Sequence, residues 1–513
     1  MDFLQNLALG FSVALTVQNV LFCFLGTLLG TFLGALPGVG AITGVALLVP
    51  LTFGMDPATA IIMLCGIYYG GQYGGSTSAI LLNIPGDAPA VLTTLDGYPM
   101  AMKGMGGPAL AIAAIGSFIA GTLGVVALSV VAEPLVELAL RFGPPEYFAL
   151  ILASLISLSG IFGESLLKGM LMVLFGVLIS TVGMDPVSGT ERLTFGSVNM
   201  MNGFSFIAVA LGIFVIPEIA QNLSRPQAGE VYKVSVGRIM PSWVEMLKCK
   251  FTVLRATVIG FLVGALPGAG TTLAAMLAYT VEKKVSANSR EFGQGAIEGV
   301  CAPESANNAA ASGAFVPLLA LGIPGSAVTA ILMGAFMMFG LRPGPLLIKT
   351  NPDLVWGLIC SMFVGNILLL ILNLPLIKFW VKIVQIPYEI LAGMIILCST
   401  TACYASNGNV FDLYIMLGFG ILGWIVTTLG YSVAPILLGL ILGPLLEYNL
   451  RGALVLSQGD PSIFFTRPIS LVFIIYTAVA LLVPMFRTKR KKRLGQSDGA
   501  AADQKTTTVH TIK

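Results

Sequence analysis

Long apolar stretches without a charged residue recur along the chain. Four of them cover residues 111–131, 203–217, 354–377 and 468–486, and these lengths suit helices that cross the ~30 Å hydrocarbon core of a bilayer. Their apolar residues follow one another without the period-two alternation of a membrane β-barrel. The pattern predicts an all-α polytopic membrane protein with about 12 membrane segments.

Composition agrees with a membrane protein. Of the 513 residues, 56% are hydrophobic and 10% are charged, whereas a soluble domain carries about 25% charged residues. The net charge of +3 is too small to indicate a nucleic-acid partner. A cationic cluster at 487–493 follows the last apolar stretch, and we interpret it as a topology anchor on the cytoplasmic side. A tail that binds lipid or a partner is the alternative.

Three phrases of the sequence occur twice, in the same order. The pairs are 27–40 with 257–270, 83–91 with 322–330, and 216–225 with 443–451. The first pair shares the run Gly-Ala-Leu-Pro-Gly, and the second shares Ile-Pro-Gly. We therefore predict a duplicated unit. The predicted domains are an N-terminal transmembrane repeat (1–225), a cytoplasmic linker (226–250), a C-terminal transmembrane repeat (251–451), a connection with a last transmembrane helix (452–486) and a basic, disordered tail (487–513).

The positions of lysine and arginine predict that the two repeats are inverted. Lys248, Lys250 and Arg255 precede or begin the second repeat and should be cytoplasmic, whereas the first repeat has no Lys or Arg before Lys103. Inverted repeats with broken helices are common in secondary transporters. One extra C-terminal helix would then return the tail to the cytoplasm. Lys103 and Arg342 occupy equivalent positions, so inversion places one of them on the outer side.

The repeated Pro-Gly phrases predict helix breaks inside the membrane. Pro and Gly free backbone N–H and C=O groups, and such groups are tolerated at membrane depth only inside protein or beside a water-filled cavity. The apolar segments that follow, 41–53 and 271–281, are too short for a full span. A half-helix that begins at mid-membrane presents the positive end of its dipole, which can hold a carboxylate without a buried Lys or Arg.

Glycine and uncharged polar residues around these breaks form the predicted substrate site. The candidates are Pro37, Gly38, Gly40, Ser76, Thr77, Ser78, Asn83, Pro85, Gly86, Pro267, Gly268, Gly270, Thr271, Asn307, Asn308, Pro324 and Gly325. The alternative is that small residues let helices pack closely while Ser and Asn bond helix to helix.

Two acids beside the same phrases, Glu304 and Asp87, are candidates for ion coupling, because a carboxylate inside a membrane usually faces a cavity or a cation. Asp56, Asp185 and Glu191 stand beside Pro or Gly and are interpreted as turn or cap residues.

Six motifs occur in this order along the chain: GALPGVG, YYGGQYGGSTSAILLNIPG, LDGYPMAMKG, GMDPVSGTERLTFG, GALPGAG and GVCAPESANNAAASGAFVPLLALGIPG. Through these motifs nearly all of residues 1–485 resembles a known family, the large membrane subunit of tripartite tricarboxylate transporters. The resemblance implies a multi-pass subunit in the bacterial inner membrane that imports a tri-, di- or aromatic carboxylate with Na⁺ or H⁺. It also implies two partners, a small membrane subunit and a periplasmic solute-binding protein; a homodimer is left open.

Two other classes of protein compete with a transporter. His510 in the tail is the only histidine, so histidine-based catalysis and histidine metal ligation inside the membrane are excluded. The Gly-rich stretch 38–44 lacks the Lys-Ser/Thr of a phosphate-binding loop. We therefore expect no enzyme, no metal and no cofactor beyond a coupling Na⁺ or H⁺. A channel or structural subunit stays open as the alternative to a carrier, and an intramembrane enzyme is the weaker one.

Overall fold

A computed structural model describes residues 3–36, 39–161, 166–185, 188–224, 237–383 and 388–482. The predicted tail, most of the linker's first half, and the candidates Pro37 and Gly38 lie outside these residues. In the first half the helices are α1 Phe3–Ala14, α2 Val17–Ala35, α3 Gly40–Leu48, α4 Pro57–Leu82, α5 Val91–Met100, α6 Gly106–Ala139, α7 Pro144–Ile161, α8 Leu166–Ser180 and α9 Phe206–Ser224.

The second half continues in the same manner. Its helices are α10 Trp243–Lys248, α11 Lys250–Gly264, α12 Gly270–Val285, α13 Ile297–Gly313, α14 Phe315–Leu321, α15 Ala327–Met338, α16 Pro345–Thr350, α17 Pro352–Asn373, α18 Ile377–Ile383, α19 Tyr388–Asn407, α20 Val410–Thr428, α21 Ala434–Leu456, α22 Ile463–Thr466 and α23 Pro468–Leu482. The strands of the described chain, β1 Gly183–Met184 and β2 Glu191–Arg192, pair antiparallel with Gly183 opposite Arg192.

Within the described residues, seven helical stretches are long and apolar enough to cross a membrane. They are Val17–Ala35, Val91–Ala139, Phe206–Ser224, Pro352–Asn373, Tyr388–Asn407, Val410–Thr428 and Ala434–Leu456. Shorter apolar helices, α23 among them, accompany these seven. The predicted all-α polytopic class is confirmed, while the count of about 12 segments and the duplication stay predictions.

Two helices that are less apolar than these spans occupy the centre. Every residue of α4 from Thr59 to Leu81 is buried, and so is every residue of α13. Both are rich in Gly, Ala and Ser, and α13 also contains two Asn; the apolar helices around them cover these polar atoms. The outer helices α19 and α20 instead expose large apolar side chains such as Leu397 and Tyr414, as expected of surfaces that face lipid.

Glycines set the close contacts of α4 and α13 with their neighbours. A Cβ on Gly34 of α2 would collide with the carbonyl oxygen of Gly71 in α4. In the same way, a Cβ on Gly264 of α11 would collide with the carbonyl oxygen of Ala310 in α13. Small residues at such contacts let helix backbones approach closely.

Polar contacts at one end of the bundle fix the directions of α9 and α21. We call it the hairpin end, because it carries β1 and β2. Arg451 of α21 pairs with Asp185 beside the hairpin at 2.9 Å, so α21 ends there. The backbone N–H of Met184 in β1 donates to the carbonyl oxygen of Met201 at 2.8 Å, shortly before α9, and Asn407 donates to Ser205 next to α9 at 3.4 Å. Since α9 begins at the hairpin end and α21 finishes at it, the two helices run in opposite directions.

The second Pro-Gly phrase lies between helices, as predicted, because Pro267 and Gly268 separate α11 from α12. At the first phrase, whose Pro37 and Gly38 lie outside the described residues, α2 ends at Ala35 and α3 begins at Gly40. The second forms a helical hairpin, because Arg255 near the start of α11 pairs with Glu282 near the end of α12 at 2.6 Å. The chain therefore enters along α11 and returns along α12, and in the turn between them Gly268 and Ala269 are buried while Leu266 is exposed.

Candidate functional site

A cavity of about 850 Å³ lies between the segments that follow the two Pro-Gly phrases, within the ~300–1,000 Å³ usual for small-molecule sites. The first wall consists of Val39–Thr43, Pro85–Pro89 and Val91. The second wall consists of Ala269–Leu273, Met276 and Ser326–Val328. Tyr68, Gln72, two residues of α9 and the start of α21 complete the lining.

Helix N-termini point at the cavity from both walls. Gly40 begins α3 with φ 62°, and Gly270 begins α12 with φ 66°, a left-handed conformation that favours glycine. A Cβ on Gly270 would meet nothing within 4 Å, so this backbone is open to the cavity. The first N–H groups of a helix have no intrahelical partner and carry the positive end of its dipole. Such groups can bind an anion directly.

The residues after each Ile-Pro-Gly also share one geometry. Asp87 accepts a hydrogen bond from the backbone N–H of Ala90 at 3.3 Å. Ser326 accepts one from the backbone N–H of Thr329 at 3.2 Å. Both side chains thus bond the backbone three residues ahead. Ser326 is the N-cap of α15, whereas Asp87 caps the turn that leads into α5, whose own N-cap is Ala90. The second carboxyl oxygen of Asp87 is buried and has no hydrogen-bond partner in the described part of the protein.

Glu218 on α9 is a cavity residue that sequence reasoning missed. The Thr43 hydroxyl of α3 donates a hydrogen bond to one of its carboxyl oxygens. The other oxygen, Oε1, is buried without a partner among the described residues. An available signal was the acid itself, which follows the charge-free stretch 203–217 directly and lies inside α9, because an acid at membrane depth is a functional candidate by default.

The charge of the cavity wall is entirely acidic. Across the described residues that line it, Asp87 and Glu218 are charged, and no Lys, Arg or His is present. Positive potential therefore comes from the helix N-termini alone. Two further polar atoms in the lining, the Gln72 side-chain oxygen and the Tyr68 hydroxyl, are buried without a hydrogen bond to a described residue; the hydroxyl lies beside Ser326.

Glu304 lies elsewhere, in a hydrogen-bonded network inside the bundle. Its carboxylate accepts from the Ser76 hydroxyl at 2.6 Å, from the Thr93 hydroxyl at 2.5 Å and from the Asn307 amide at 3.4 Å. Asn308 donates to the Ser117 hydroxyl at 2.8 Å and to the Glu304 backbone carbonyl at 3.0 Å. The network joins α4, α5, α6 and α13, and all of these residues are buried.

The predicted site residues therefore divide into two groups. The structure brings Gly40, Pro85, Gly86, Asp87, Gly270 and Thr271 together on the cavity walls. It does not bring the others there. Ser76 and Thr77 line a separate space of about 10 Å³, and Asn83 is an exposed residue with φ 57° at the end of α4. The remaining predicted residues within the described ranges, which lie off the cavity lining, are Ser78, Pro267, Gly268, Asn307, Asn308, Pro324 and Gly325.

Apolar helices around an acidic central cavity define a multi-pass membrane protein. The chain belongs to the tripartite tricarboxylate transporter TctA family, whose model matches residues 20–438. Members of this family are the large subunit of a transporter that also uses a small membrane subunit and a periplasmic binding protein. The resemblance drawn from the sequence motifs is confirmed.

Two relatives from Agrobacterium vitis carry no described activity. An uncharacterized 52.8 kDa protein in the TAR-I ttuC' 3' region is 46% identical over 504 residues, which is 97% of this chain and 100% of the relative. An uncharacterized protein in the TAR-II ttuC' 3' region is 48% identical over 242 residues, covering 47% of this chain and 100% of the relative. No solved structure matches the chain at a significant level.

Proposed function

We propose that this protein imports a carboxylate across the bacterial inner membrane as the large subunit of a secondary active transporter, driven by a Na⁺ or H⁺ gradient. A periplasmic binding protein would deliver the substrate, and a small membrane subunit would accompany the chain. Family membership supports the transporter class. A tricarboxylate, a dicarboxylate and an aromatic carboxylate all fit the proposal, and a homodimer stays a prediction.

The cavity between the two walls is the observation that carries this proposal. Helix N-termini at Gly40 and Gly270 offer backbone N–H groups to an anion, and the cavity has the size of a small-molecule site. A carboxylate bound this way needs no Lys or Arg, whose burial in a membrane is costly. We assign substrate binding to the cavity-wall residues Gly40, Pro85, Gly86, Gly270 and Thr271.

Matching contacts support inverted repeats around this cavity. The Gly34–Gly71 contact and the Gly264–Ala310 contact involve positions related by the sequence offsets of the first two repeated phrases. The opposite directions of α9 and α21 are those expected if the third pair of phrases ends two inverted units. In such a design each half supplies one wall, and alternating access exposes the shared cavity first to one side of the membrane and then to the other.

Uptake in cells tests the proposal. A strain without its own carboxylate uptake would express the full chain with its small subunit and binding protein, and would be offered labelled citrate, succinate and benzoate. Saturable, gradient-dependent uptake of one of them is expected. Uptake that never saturates would indicate a channel instead, and failure with all three substrates would contradict the proposed function.

A cavity-filling variant locates the site. Ala88 lies in the first wall, and Ala88→Trp places a large ring in the cavity. Because lost contacts worth ~1.4 kcal/mol reduce affinity tenfold, we expect at least a tenfold rise in the half-saturating concentration. The matched control is Ala8→Trp, on the exposed face of α1. Equal effects of both substitutions on uptake would move the site away from this cavity.

A further inference from the structure

Two carboxyl groups face the cavity, and no basic side chain neutralises them. Asp87 and Glu218 each bury one carboxyl oxygen that has no partner in the described chain, and the lining includes no Lys, Arg or His among those residues. Ionised groups without a partner are strongly disfavoured in such surroundings. A carboxylate substrate in the same cavity would add repulsion between like charges. A positive charge that arrives with the substrate would relieve this excess of negative charge in the cavity.

Glu218 and Asp87 are not equivalent in this respect. One oxygen of Asp87 bonds the Ala90 N–H at the start of α5, so its carboxylate has a structural role. Glu218 lies within α9 and bonds the hydroxyl of Thr43. A hydroxyl donates to a carboxylate and equally accepts from a carboxylic acid. Glu218 can therefore gain or lose a proton while its partner stays in place.

Neighbouring helices bring no positive charge to Glu218 among the described residues. Helices α3, α19, α20 and α21 pack against α9. Tyr388 of α19 faces it and is bonded by Asn222 at 3.2 Å. The charged residues of these helices are Glu389, which follows Tyr388, Asp412, bonded to Asn407, and Glu447 and Arg451, which pair with each other. Asp412, Glu447 and Arg451 lie near the hairpin end. Asp87 lies in the facing wall of the cavity.

Unpartnered polar atoms on α4 mark another part of the cavity lining as a binding surface. Gln72 is 2% exposed and Tyr68 is 0% exposed, yet neither the Gln72 oxygen nor the Tyr68 hydroxyl forms a hydrogen bond within the described chain. A hard metal cation such as Ca²⁺ needs six or more oxygen ligands. In the described ranges the Thr43 hydroxyl is the one group hydrogen-bonded to Glu218, which is far fewer oxygen atoms than such a cation needs. A proton needs only the carboxyl group itself.

We propose that Glu218 is the proton-binding residue that couples carboxylate import to the proton gradient. It is neutral when the anion occupies the cavity and releases its proton on the inner side once the anion has left. The substrate's negative charge and the proton's positive charge thus cross together. This assignment rests on the proposed transport function and selects H⁺ as the coupling ion.

Infrared spectroscopy of the purified full chain tests the assignment without any substrate. The wild-type protein should show a carboxylic-acid carbonyl band that disappears as the pH rises, and Glu218→Gln should lack that titrating band. Glu137→Gln, an exposed acid on α6, is the matched control and should keep it. A titrating band that is identical in Glu218→Gln and the wild type would overturn the proposal.

Transport measurements separate this proposal from the function on which it rests. In membrane vesicles that contain all three components, a gradient of about one pH unit should accumulate the substrate about tenfold for one coupled proton, since ~1.4 kcal/mol corresponds to a factor of ten. Glu218→Gln should abolish this accumulation but retain exchange of labelled for unlabelled substrate. If the wild type moves no carboxylate, the transport function itself fails. If the variant accumulates substrate like the wild type, or if only a Na⁺ gradient drives uptake, transport stands and the Glu218 assignment falls.

Glu218→Asp covers the case in which the glutamine variant does not fold. The shorter acid keeps a titrating group but moves it away from Thr43, so the pH at which uptake is half-maximal should shift. An unchanged pH profile would also overturn the proposal.

Discussion

The two walls of the cavity share a backbone design but not a charge. Gly40 and Gly270 begin helices with φ of 62° and 66°, and Asp87 and Ser326 both bond the backbone three residues ahead. Yet the first wall carries a carboxylate where the second carries a hydroxyl. A second charge difference involves Glu218. In the alignment of 216–225 with 443–451, the residue of the second half that corresponds to Glu218 is the uncharged Leu445. The comparison teaches that backbone conformation and charge are separable here, because the two walls share the first and differ in the second.

Moving the carboxylate from one wall to the other is the strongest test of this comparison. The double substitution Asp87→Ser with Ser326→Asp keeps a backbone-capping side chain on each wall. Because a hydrogen bond to a charged group is worth ~1.5–3 kcal/mol, we expect uptake to fall by about tenfold to a hundredfold. The measurement is labelled uptake at fixed expression level, with each single substitution alongside. A double variant as active as the wild type would mean that the side on which the acid stands is immaterial.

Exchanging the charge should have a large effect because the walls differ in charge. Because the two halves share a backbone design, we expect equivalent glycine substitutions in the two halves to have equal effects. Gly34→Ala and Gly264→Ala each place a Cβ against a carbonyl oxygen of the neighbouring helix. Overpacking of this kind typically costs ~1–3 kcal/mol, so both should lower the thermal stability of the detergent-purified protein by similar amounts. Gly393→Ala on α19, where a Cβ meets nothing within 4 Å, is the control. Strongly unequal effects at the two glycines would argue against equivalent packing of the halves.

Much of this architecture could be predicted from local sequence. Charge-free stretches identify membrane helices, because length and hydropathy decide that outcome. The Pro-Gly phrases identify the breaks, because proline lacks an N–H and glycine tolerates positive φ. Asp56 caps α4 by accepting from the Thr59 N–H at 3.2 Å, as its place before a proline predicted.

Side-chain placement was harder to predict, because it depends on contacts far apart in sequence. Ser76 and Asn307 sit in Gly- and Ser-rich segments that suit either a binding surface or close helix packing. The structure buries them against Glu304, 228 residues from Ser76 along the chain. Glu218 was missed for a related reason. Its partner Thr43 is 175 residues away, and no Pro-Gly phrase adjoins it to mark the position.

A smaller effect is expected from the ion pair that joins α11 to α12, because α2 and α3 have no counterpart of it in the described ranges. The α11–α12 hairpin is closed by Arg255 and Glu282 at 2.6 Å, whereas no ion pair between α2 and α3 exists in the described ranges. Arg255→Ala should loosen only α12, by about 1 kcal/mol, since the arginine is partly solvent-exposed and such pairs are weak. Hydrogen exchange followed by mass spectrometry should show faster exchange in α12 and none of this change in α3. Equally faster exchange in α3 and α12 would contradict a role of this ion pair that is confined to the α11–α12 hairpin.

The smallest expected effect separates an acid that only caps a helix from one that also faces the cavity. Asp56 and Asp87 both accept a backbone hydrogen bond three residues ahead, but Asp56 is exposed and lies outside the cavity lining. Asn is as good an N-cap as Asp, so Asp56→Asn should change stability by less than about 0.5 kcal/mol and leave uptake unchanged. Asp87→Asn preserves a capping oxygen equally well but removes the charge from the first wall, so it should lower uptake at the same expression level. If both variants transported like the wild type, the carboxylate of the first wall would be a cap and nothing more, and the charge difference between the walls would carry no functional meaning.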